Sequence, residues 1–294
     1  SRPVLAALAF LTVGISLKLA LFPLHQWLPN AYAYAPSAVT AFLAATATKV
    51  SVYVLIRFYY SVFGESLVFH RLPLPEIMLG LSLLAMFAAS LIAIFQHDLK
   101  RMFAYSSVGQ IGYITLGISF DSVHGLTAAI VHLANHGIAK AAIFLLIGGM
   151  ALGVVRHGAV SPAPTFDRLH GLAKRMPLTC LGIVIAGLSL IGVPGTAGFI
   201  SKWYLVLAAL ERGQFWLAGA VVLSSLLAIA YVWRFVEAAW FRAPPAADLR
   251  QEASAAMLVP AWLLVLATLW FGIDTSLTAG SALEAAQQLV RTGR

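Results

Sequence analysis

The chain has 294 residues, of which 61% are hydrophobic and only 10% are charged, with a mean hydropathy of +0.88. Soluble globular domains average about 25% charged residues, so this composition excludes a soluble protein and indicates an integral membrane protein. The formal net charge is +8, which in a membrane protein is typical of loop lysines and arginines that set topology. Cys180 is the single cysteine, which excludes an intrachain disulfide and a cysteine-based metal site.

Apolar runs of about 20 residues recur along the chain, each long enough to cross a hydrocarbon core of about 30 Å as a helix. The pattern predicts an all-α polytopic membrane protein. We expect about eight transmembrane helices, at roughly 4–23, 37–60, 75–96, 103–120, 123–150, 177–210, 214–241 and 255–273.

Two of these spans contain helix breakers. The first span runs into "LHQWLPNAYAYAP" at 24–36, and the sixth is interrupted by "GVPGTAG" at 192–198. Non-helical backbone at membrane depth is tolerated only where protein or a water-filled cavity satisfies its polar groups. We therefore predict a broken helix at each of these places.

Four lysines lie within the spans. Lys18 and Lys49 belong to the first and second spans, Lys140 to the fifth, and Lys202 lies just past the break in the sixth. A charge at the bilayer centre costs at least about 2.5–3.5 kcal/mol on insertion scales. Such lysines are expected to face a hydrated interior, where neighbouring charges and burial decide whether each one holds a proton. Snorkelling to the headgroups is the alternative, chiefly for Lys202.

The fifth span carries "AIVHLANHGIAKAAIFLL", with His132, His136 and Lys140 at intervals of four. This spacing places the three groups on one helical face, about 6 Å apart along the axis. With water between them they would form a proton wire. Hydrogen-bonded core histidines are one alternative, and metal ligation by the two histidines is another. Because no carboxylate or cysteine nearby completes a ligand set, we predict no metal site.

Other polar residues within the spans fit either a hydrated axis or ordinary contacts between helices. These polar residues are Thr46, Thr48, Ser51, Ser106, Ser107, Gln110, Tyr113 and Thr115.

The chain has no nucleotide-binding loop, flavin fingerprint or iron–sulfur cysteines, so we predict no cofactor and no redox catalysis by this chain.

Four stretches resemble signature regions of one membrane family, in that family's order. They are "KLALFPLHQWLPNAYAYAPSAVTAFLAATATKVSVYVLIRF", "HDLKRMFAYSSVGQIGYITLG", "HLANHGIAKAAIFLLIGG" and "GVPGTAGFISKWYL". They are similar to the antiporter-like proton-translocating subunits of respiratory complex I, of Mrp-type cation/proton antiporters and of membrane-bound hydrogenases.

The resemblance implies a fourteen-helix subunit with two inverted five-helix repeats, of which this chain would be the last eight helices. Residues 1–60 would end the first repeat, 75–241 would form the second, with its broken helix near 192–198, and 255–294 would be the final helix and a short tail. In the family, the lysine matching Lys18 pairs with a glutamate on the fifth helix. A preceding segment or a separate chain would have to supply that glutamate.

The resemblance also implies which residues transfer protons and to what kind of complex the chain belongs. We expect a proton-translocating subunit of a multisubunit complex, and "AYAPSAVTAFLAATATKVSVY" looks most like a Mrp-type Na⁺/H⁺ antiporter. A complex I (NADH-quinone oxidoreductase) or hydrogenase subunit is the alternative, and a structural subunit without transport is a third interpretation. The expected partners are other membrane subunits, the bilayer, protons and Na⁺, in a bacterial inner membrane, without nucleic acid. The expected proton-transfer residues are Lys18, Lys49, His132, His136, Lys140 and Lys202.

Overall fold

A computed structural model describes residues 2–155, 164–244 and 251–293. Across these residues the fold is helical, and the one isolated β-bridge joins Asp98 and Thr165. This confirms the predicted all-α class. The helices are α1 (Arg2–Leu19), α2 (Trp27–Tyr34), α3 (Ser37–Val62), α4 (Leu74–Ile94), α5 (Leu99–Ser119), α6 (Val123–Val155), α7 (Pro177–Ile191), α8 (Ala197–Glu211), α9 (Phe215–Phe241), α10 (Ala255–Ile273) and α11 (Ser281–Gly293).

Among the described residues, six helices are long and apolar enough to cross a membrane: α1, α3, α4, α6, α9 and α10. A seventh candidate is a pair bent by 110°, in which short helical turns within 166–174 precede α7. Each of the eight predicted spans corresponds to a helix or a helix pair. Helix α5 has nearly all of its residues buried, although it carries polar side chains, so it lies inside the bundle.

Both predicted breaks are present. Helix α1 ends at Leu19, and Ala20 has a φ of 63°, in the left-handed region, before α2 begins at Trp27. Helix α7 ends at Ile191 and α8 begins at Ala197, with φ of 88° at Gly192 and 85° at Gly195. At Gly192 and Gly195, glycine adopts these angles without the steric cost that other residues incur.

Helix α6 is the centre of the bundle. It packs against α5, α8 and α10, and also against α3, α7 and α11. Its neighbour α3 has a π-helical turn at Leu43–Ala47, directly before the α-helical segment Thr48–Arg57 that carries Lys49. π-Helical turns inside α-helices occur frequently at functional sites.

The segment predicted only as a short tail forms the amphipathic helix α11, which packs against α6 and the end of α3. Its inward face is a stripe of small apolar residues that begins in the preceding helical turn, whereas Glu284 and Arg291 are exposed. Of the ranges predicted from the sequence, residues 156–163 within 75–241 and residue 294 at the end of 255–294 lie outside the described residues. The buried residues of the stripe are Ala279, Ala282, Ala286 and Val290.

The start of α5 provides a stability prediction. The Asp98 side chain accepts a hydrogen bond from the Arg101 backbone N–H at 2.8 Å, and so caps the helix. Asp98→Ala is expected to cost about 1 kcal/mol of stability through loss of the cap, whereas Asp98→Asn retains an acceptor oxygen. Thermal unfolding of the two variants and the wild type at neutral pH measures the difference.

The pH dependence of this site has a defined sign. Asp98 lies outside the spans, and burial raises the pKa of its carboxyl group above the ordinary value. The folded state therefore binds this proton more tightly than the unfolded chain does. The contribution of Asp98 to stability is then greatest below the unfolded pKa of about 4 and is lost as the pH rises through the folded pKa. Asp98→Asn should remove this component, and an identical pH profile for both proteins would contradict it.

Candidate functional site

Buried polar side chains follow one another through the bundle, from the break between α7 and α8 to α3. Each member is between 0 and 6% exposed. Buried polar groups are costly unless they are hydrogen-bonded or serve a function, so the partners of each one determine how it is accommodated. We call this series the buried polar chain: Lys202, Gln110, His132, His136, Lys140 and Lys49.

Lys202 sits at the broken helix. Its Nζ donates hydrogen bonds to the carbonyl oxygens of Leu190 at 2.9 Å and Ile191 at 2.8 Å, and to Ser225 Oγ at 3.0 Å. A cation at a helix C-terminus satisfies carbonyl groups that have no partner within the helix. The broken helix thus explains how this lysine can be buried. Its Nζ also lies 4.5 Å from the centre of the Tyr113 ring.

The helices meet closely at this break because of a glycine. A β-carbon at Gly198 would lie 1.7 Å from the carbonyl oxygen of Ser189, so only glycine allows α8 to approach α7 in this way. Ser189 Oγ accepts a hydrogen bond from the Gly198 backbone N–H at 3.1 Å. This contact places Lys202 beside the end of α7.

Gln110 connects Lys202 to His132. The Gln110 side-chain N–H donates to the Leu190 carbonyl oxygen at 3.3 Å, the same oxygen that Lys202 contacts. Gln110 Oε1 lies 2.9 Å from His132 Nε2, and Ser201 Oγ lies 2.7 Å from His132 Nδ1. Both nitrogens of this buried imidazole therefore have partners.

His136 lies one helical turn further along α6. The His132 and His136 rings are stacked, with centroids 5.9 Å apart and planes inclined by 20°. Neither ring nitrogen of His136 has a hydrogen-bond partner in the described part of the protein. Lys140 lies one further turn along α6, and the Lys49 side chain lies beside the next residue, where a β-carbon at Gly137 would be 3.8 Å from Lys49 Cε.

The two remaining lysines, Lys140 on α6 and Lys49 on α3, contact different parts of the bundle. Lys140 Nζ donates to the Phe103 carbonyl oxygen at 2.6 Å and to Ser106 Oγ. Lys49 Nζ donates to the Ala44 carbonyl oxygen and to Thr48 Oγ1, the latter at 3.3 Å. In the described ranges, neither lysine forms an ion pair with a carboxylate.

Five of the six residues predicted to transfer protons are thus buried together, and Lys18 is not among them. Lys18 lies near the end of α1 and is exposed. Its position on the outside of the bundle fits the expectation that its acidic partner is supplied by another segment or chain. That pairing stays a prediction.

The structure adds residues that the sequence did not single out. Ser201 and Ser225 bind His132 and Lys202. The hydroxyl of Tyr231, on α9, is buried and faces the side chains of Gln110 and Ser106 without forming a well-aligned hydrogen bond. A single hydroxyl in an apolar span is an ordinary feature of membrane helices, so no sequence signal distinguished these residues.

Comparison with known proteins identifies the family. The profile of the transmembrane family described as NADH:quinone oxidoreductase/Mrp antiporter matches residues 1–228. The chain belongs to this family. The match extends from α1 into α9 and so includes every member of the buried polar chain.

Among curated proteins, the NADH-quinone oxidoreductase subunit N of Desulforudis audaxviator is 39% identical over 288 residues, which cover 93% of this chain and 55% of that protein. The F(420)H(2) dehydrogenase subunit N of Methanosarcina mazei is 31% identical over 242 residues, covering 82% of this chain and 48% of the relative. The chain therefore spans about half the length of the curated relatives that it matches.

Solved structures share the fold. A chain of the Mrp complex from Dietzia sp. DQ12-45-1b superposes with a TM-score of 0.86 at 26% identity, covering 100% of this chain and 62% of that one. A chain of respiratory complex I from Thermus thermophilus with bound aureothin has a TM-score of 0.75 at 25% identity, with coverages of 93% and 58%. The antiporter-like membrane fold expected from the sequence is therefore confirmed.

Proposed function

We propose that this chain is the proton-translocating part of an antiporter-like N subunit in a complex I-type NADH-quinone oxidoreductase. The curated relatives support this choice, since the Desulforudis protein at 39% identity carries that name. The expected Mrp-type membership is not supported by these relatives, and the complex I alternative is better supported. The likeness to the Dietzia Mrp chain does not decide between them, because a complex I chain has the same fold.

The buried polar chain is the observation that carries the proposal. A proton entering at Lys202 would reach His132 through bridging water beside Gln110, which orients the His132 ring, and would pass from the stacked His136 to Lys140 or Lys49. Gln110 Oε1 lies 2.9 Å from His132 Nε2, and Gln110 and Lys202 donate to the same Leu190 carbonyl oxygen, at 3.3 Å and 2.9 Å. Bridging water is expected to complete the part from His136 to the lysines, because a polar site with several partners can hold one.

His132 has a partner that suits both of its protonation states. Ser201 Oγ lies 2.7 Å from His132 Nδ1 and also donates to the Gly198 carbonyl oxygen at 3.0 Å. A hydroxyl has one proton and can rotate. It would donate to Nδ1 of the neutral ring, and it would accept from the protonated ring while it donates to the carbonyl. The site can therefore gain and lose a proton without leaving a nitrogen unpaired.

The interpretation as a structural subunit without transport is weakened by His136. No protein group in the described ranges binds either nitrogen of this buried imidazole, so the ring makes no hydrogen bond that would hold α6 to its neighbours and is open to bridging water. The presence of histidine is better explained by a role in proton transfer.

We also propose the partners and location by similarity to the relatives. The chain would assemble with other membrane subunits in a bacterial cytoplasmic membrane, and one of them or a preceding segment would supply the acidic partner of Lys18. Redox chemistry in other subunits would drive the proton movement. The inverted-repeat division at 1–60, 75–241 and 255–294 belongs to this proposal.

Purification of the native complex in mild detergent, followed by mass spectrometry of all subunits, tests the assignment. Flavin- and iron–sulfur-binding partners are expected, together with NADH-driven proton uptake after reconstitution into vesicles. Co-purification with small membrane subunits alone, with Na⁺-dependent proton exchange, would favour the Mrp alternative. Intact assembly without proton movement would support a structural subunit.

Tyr231→Phe tests the contribution of the additional hydroxyl between Gln110 and Ser106. We expect proton uptake to fall by several-fold, because the variant removes a polar group beside the route. Thermal stability should not change, because the buried hydroxyl has no well-aligned partner to lose. The rate of NADH-driven fluorescence quenching in vesicles measures the effect. Tyr53→Phe is the control, since Tyr53 is 58% exposed on α3. Equal rates for both variants and the wild type would remove Tyr231 from the route.

A further inference from the structure

A second group of ionisable side chains lies away from the buried polar chain, at one end of the bundle. Glu65 and His70 belong to the connection between α3 and α4, and Asp121 lies in the turn between α5 and α6. One ligand atom from each of the three lies within 4.8 Å of the other two. His70 Nε2 is 3.6 Å from Asp121 Oδ2.

The burial of these side chains distinguishes them from an ordinary surface cluster. Glu65 is 3% exposed, and the Asp121 side chain is 10% exposed, whereas that of His70 is 64% exposed. The Tyr60 hydroxyl donates to Asp121 Oδ1 at 3.2 Å, which leaves Oδ2 directed at the imidazole. Two carboxylates held this close repel one another when both are ionised, and a cation bound between them relieves that repulsion.

We propose that Glu65, His70 and Asp121 bind a divalent transition-metal ion of the zinc class. One imidazole nitrogen and two carboxylate oxygens are ordinary zinc ligands, with bonds of about 2.0–2.2 Å. Two tetrahedral ligands at such distances lie about 3.4 Å apart, close to the 3.6 Å between His70 and Asp121. The exposed imidazole can move to complete the set with Glu65.

The nature of the ligands selects the kind of ion. Ca²⁺ and Mg²⁺ prefer sites made of oxygen atoms only, and an imidazole favours zinc and its neighbours in the transition series. A bound ion would join the connection after α3 to the turn before α6, so it would hold together the ends of two helices that carry Lys49 and His132. This assignment does not depend on the proposed proton transfer.

Zinc binding by the purified, chelator-treated complex tests the proposal, with competition against a fluorescent zinc indicator as the readout. The wild type is expected to bind one more tight Zn²⁺ than His70→Ala or Asp121→Asn, whose affinity at this site should fall at least tenfold. The bound ion should also raise the thermal stability of the wild type and leave that of His70→Ala unchanged. Because His70 is exposed, its replacement is not expected to impair folding.

His124→Ala is the matched control, since His124 lies at the same end of the bundle and pairs with the single carboxylate of Glu211 at 2.6 Å. It should bind zinc as the wild type does. Equal zinc affinity in His70→Ala, Asp121→Asn and the wild type would overturn the site. Displacement of Zn²⁺ by an equal concentration of Ca²⁺ or Mg²⁺ would overturn its assignment to a transition metal.

Discussion

Replacement of His136 by leucine is expected to reduce NADH-driven proton uptake by about 100-fold or more, since proton transfer by a positioned side chain typically contributes at least that factor. His136 lies between the stacked His132 ring and the two lysines Lys140 and Lys49. Without the imidazole, no group in the described part of the protein connects the two halves of the buried polar chain. An apolar side chain at this position has no group that can bind and release a proton.

The same replacement is expected to leave the fold as stable as the wild type, or more stable. No protein group in the described ranges binds either His136 ring nitrogen, so leucine breaks no hydrogen bond within the protein while it retains most of the volume. Loss of transport with retained stability would separate a proton-transfer role from a structural one. Thermal unfolding and subunit composition of the purified complex are the second readout.

His97→Leu is the control for this experiment. His97 is an exposed histidine in the connection between α4 and α5, away from the buried polar chain. It should transport protons at the wild-type rate. Wild-type transport by His136→Leu would show that protons bypass α6, and the route through the two histidines would then be abandoned.

The spacing of polar residues on α6 was sufficient to predict the centre of this site. Positions 132, 136 and 140 share one helical face by the geometry of the helix alone, and the structure places all three in the interior. The two breaks were equally predictable, because proline and glycine are the residues that least favour continuation of a helix. The spacing on α6 and the two breaks depend only on residues that are close together in the sequence, so they can be predicted without knowledge of the packing.

The partners of the lysines could not be predicted in the same way. Lys202 contacts Leu190 and Ile191 through backbone oxygens, which carry no sequence signal. Tyr231 reaches the site because α9 packs against α5, a contact between residues more than 100 positions apart. Lys18 illustrates a different difficulty. Its sequence context resembles that of a proton-transferring lysine, yet it is exposed on this chain, and its surroundings depend on what packs against α1.

Substitutions at Lys202 distinguish the effect of its positive charge from the effect of its ability to release a proton. Lys202→Arg retains a cation whose N–H groups can donate to the Leu190 and Ile191 carbonyl oxygens. An arginine side chain does not give up its proton in proteins. We therefore expect this variant to assemble while its proton uptake falls by about 100-fold.

Lys202→Met completes the comparison, because methionine retains the length of the side chain but has neither the charge nor the hydrogen-bond donors. It leaves the Ile191 carbonyl oxygen without this donor, whereas the Leu190 oxygen keeps the Gln110 N–H, and an unsatisfied buried group typically costs about 1–3 kcal/mol. The methionine variant should therefore lose both transport and thermal stability, whereas the arginine variant should lose transport alone. Lys174→Arg, an exposed lysine outside the spans, controls for the exchange itself and should behave as the wild type.

The difference between these two variants decides the role of the broken helix. If Lys202 only neutralises the carbonyl end of α7, arginine should replace it and proton uptake should persist. If Lys202 passes protons toward His132, a permanently charged side chain must block the route even where the break is intact. Because the Lys202 ammonium contacts both the Leu190 oxygen and Ser225, the deprotonated amine can keep the hydroxyl of Ser225 as a partner, and a lysine can therefore alternate between two states where an arginine cannot.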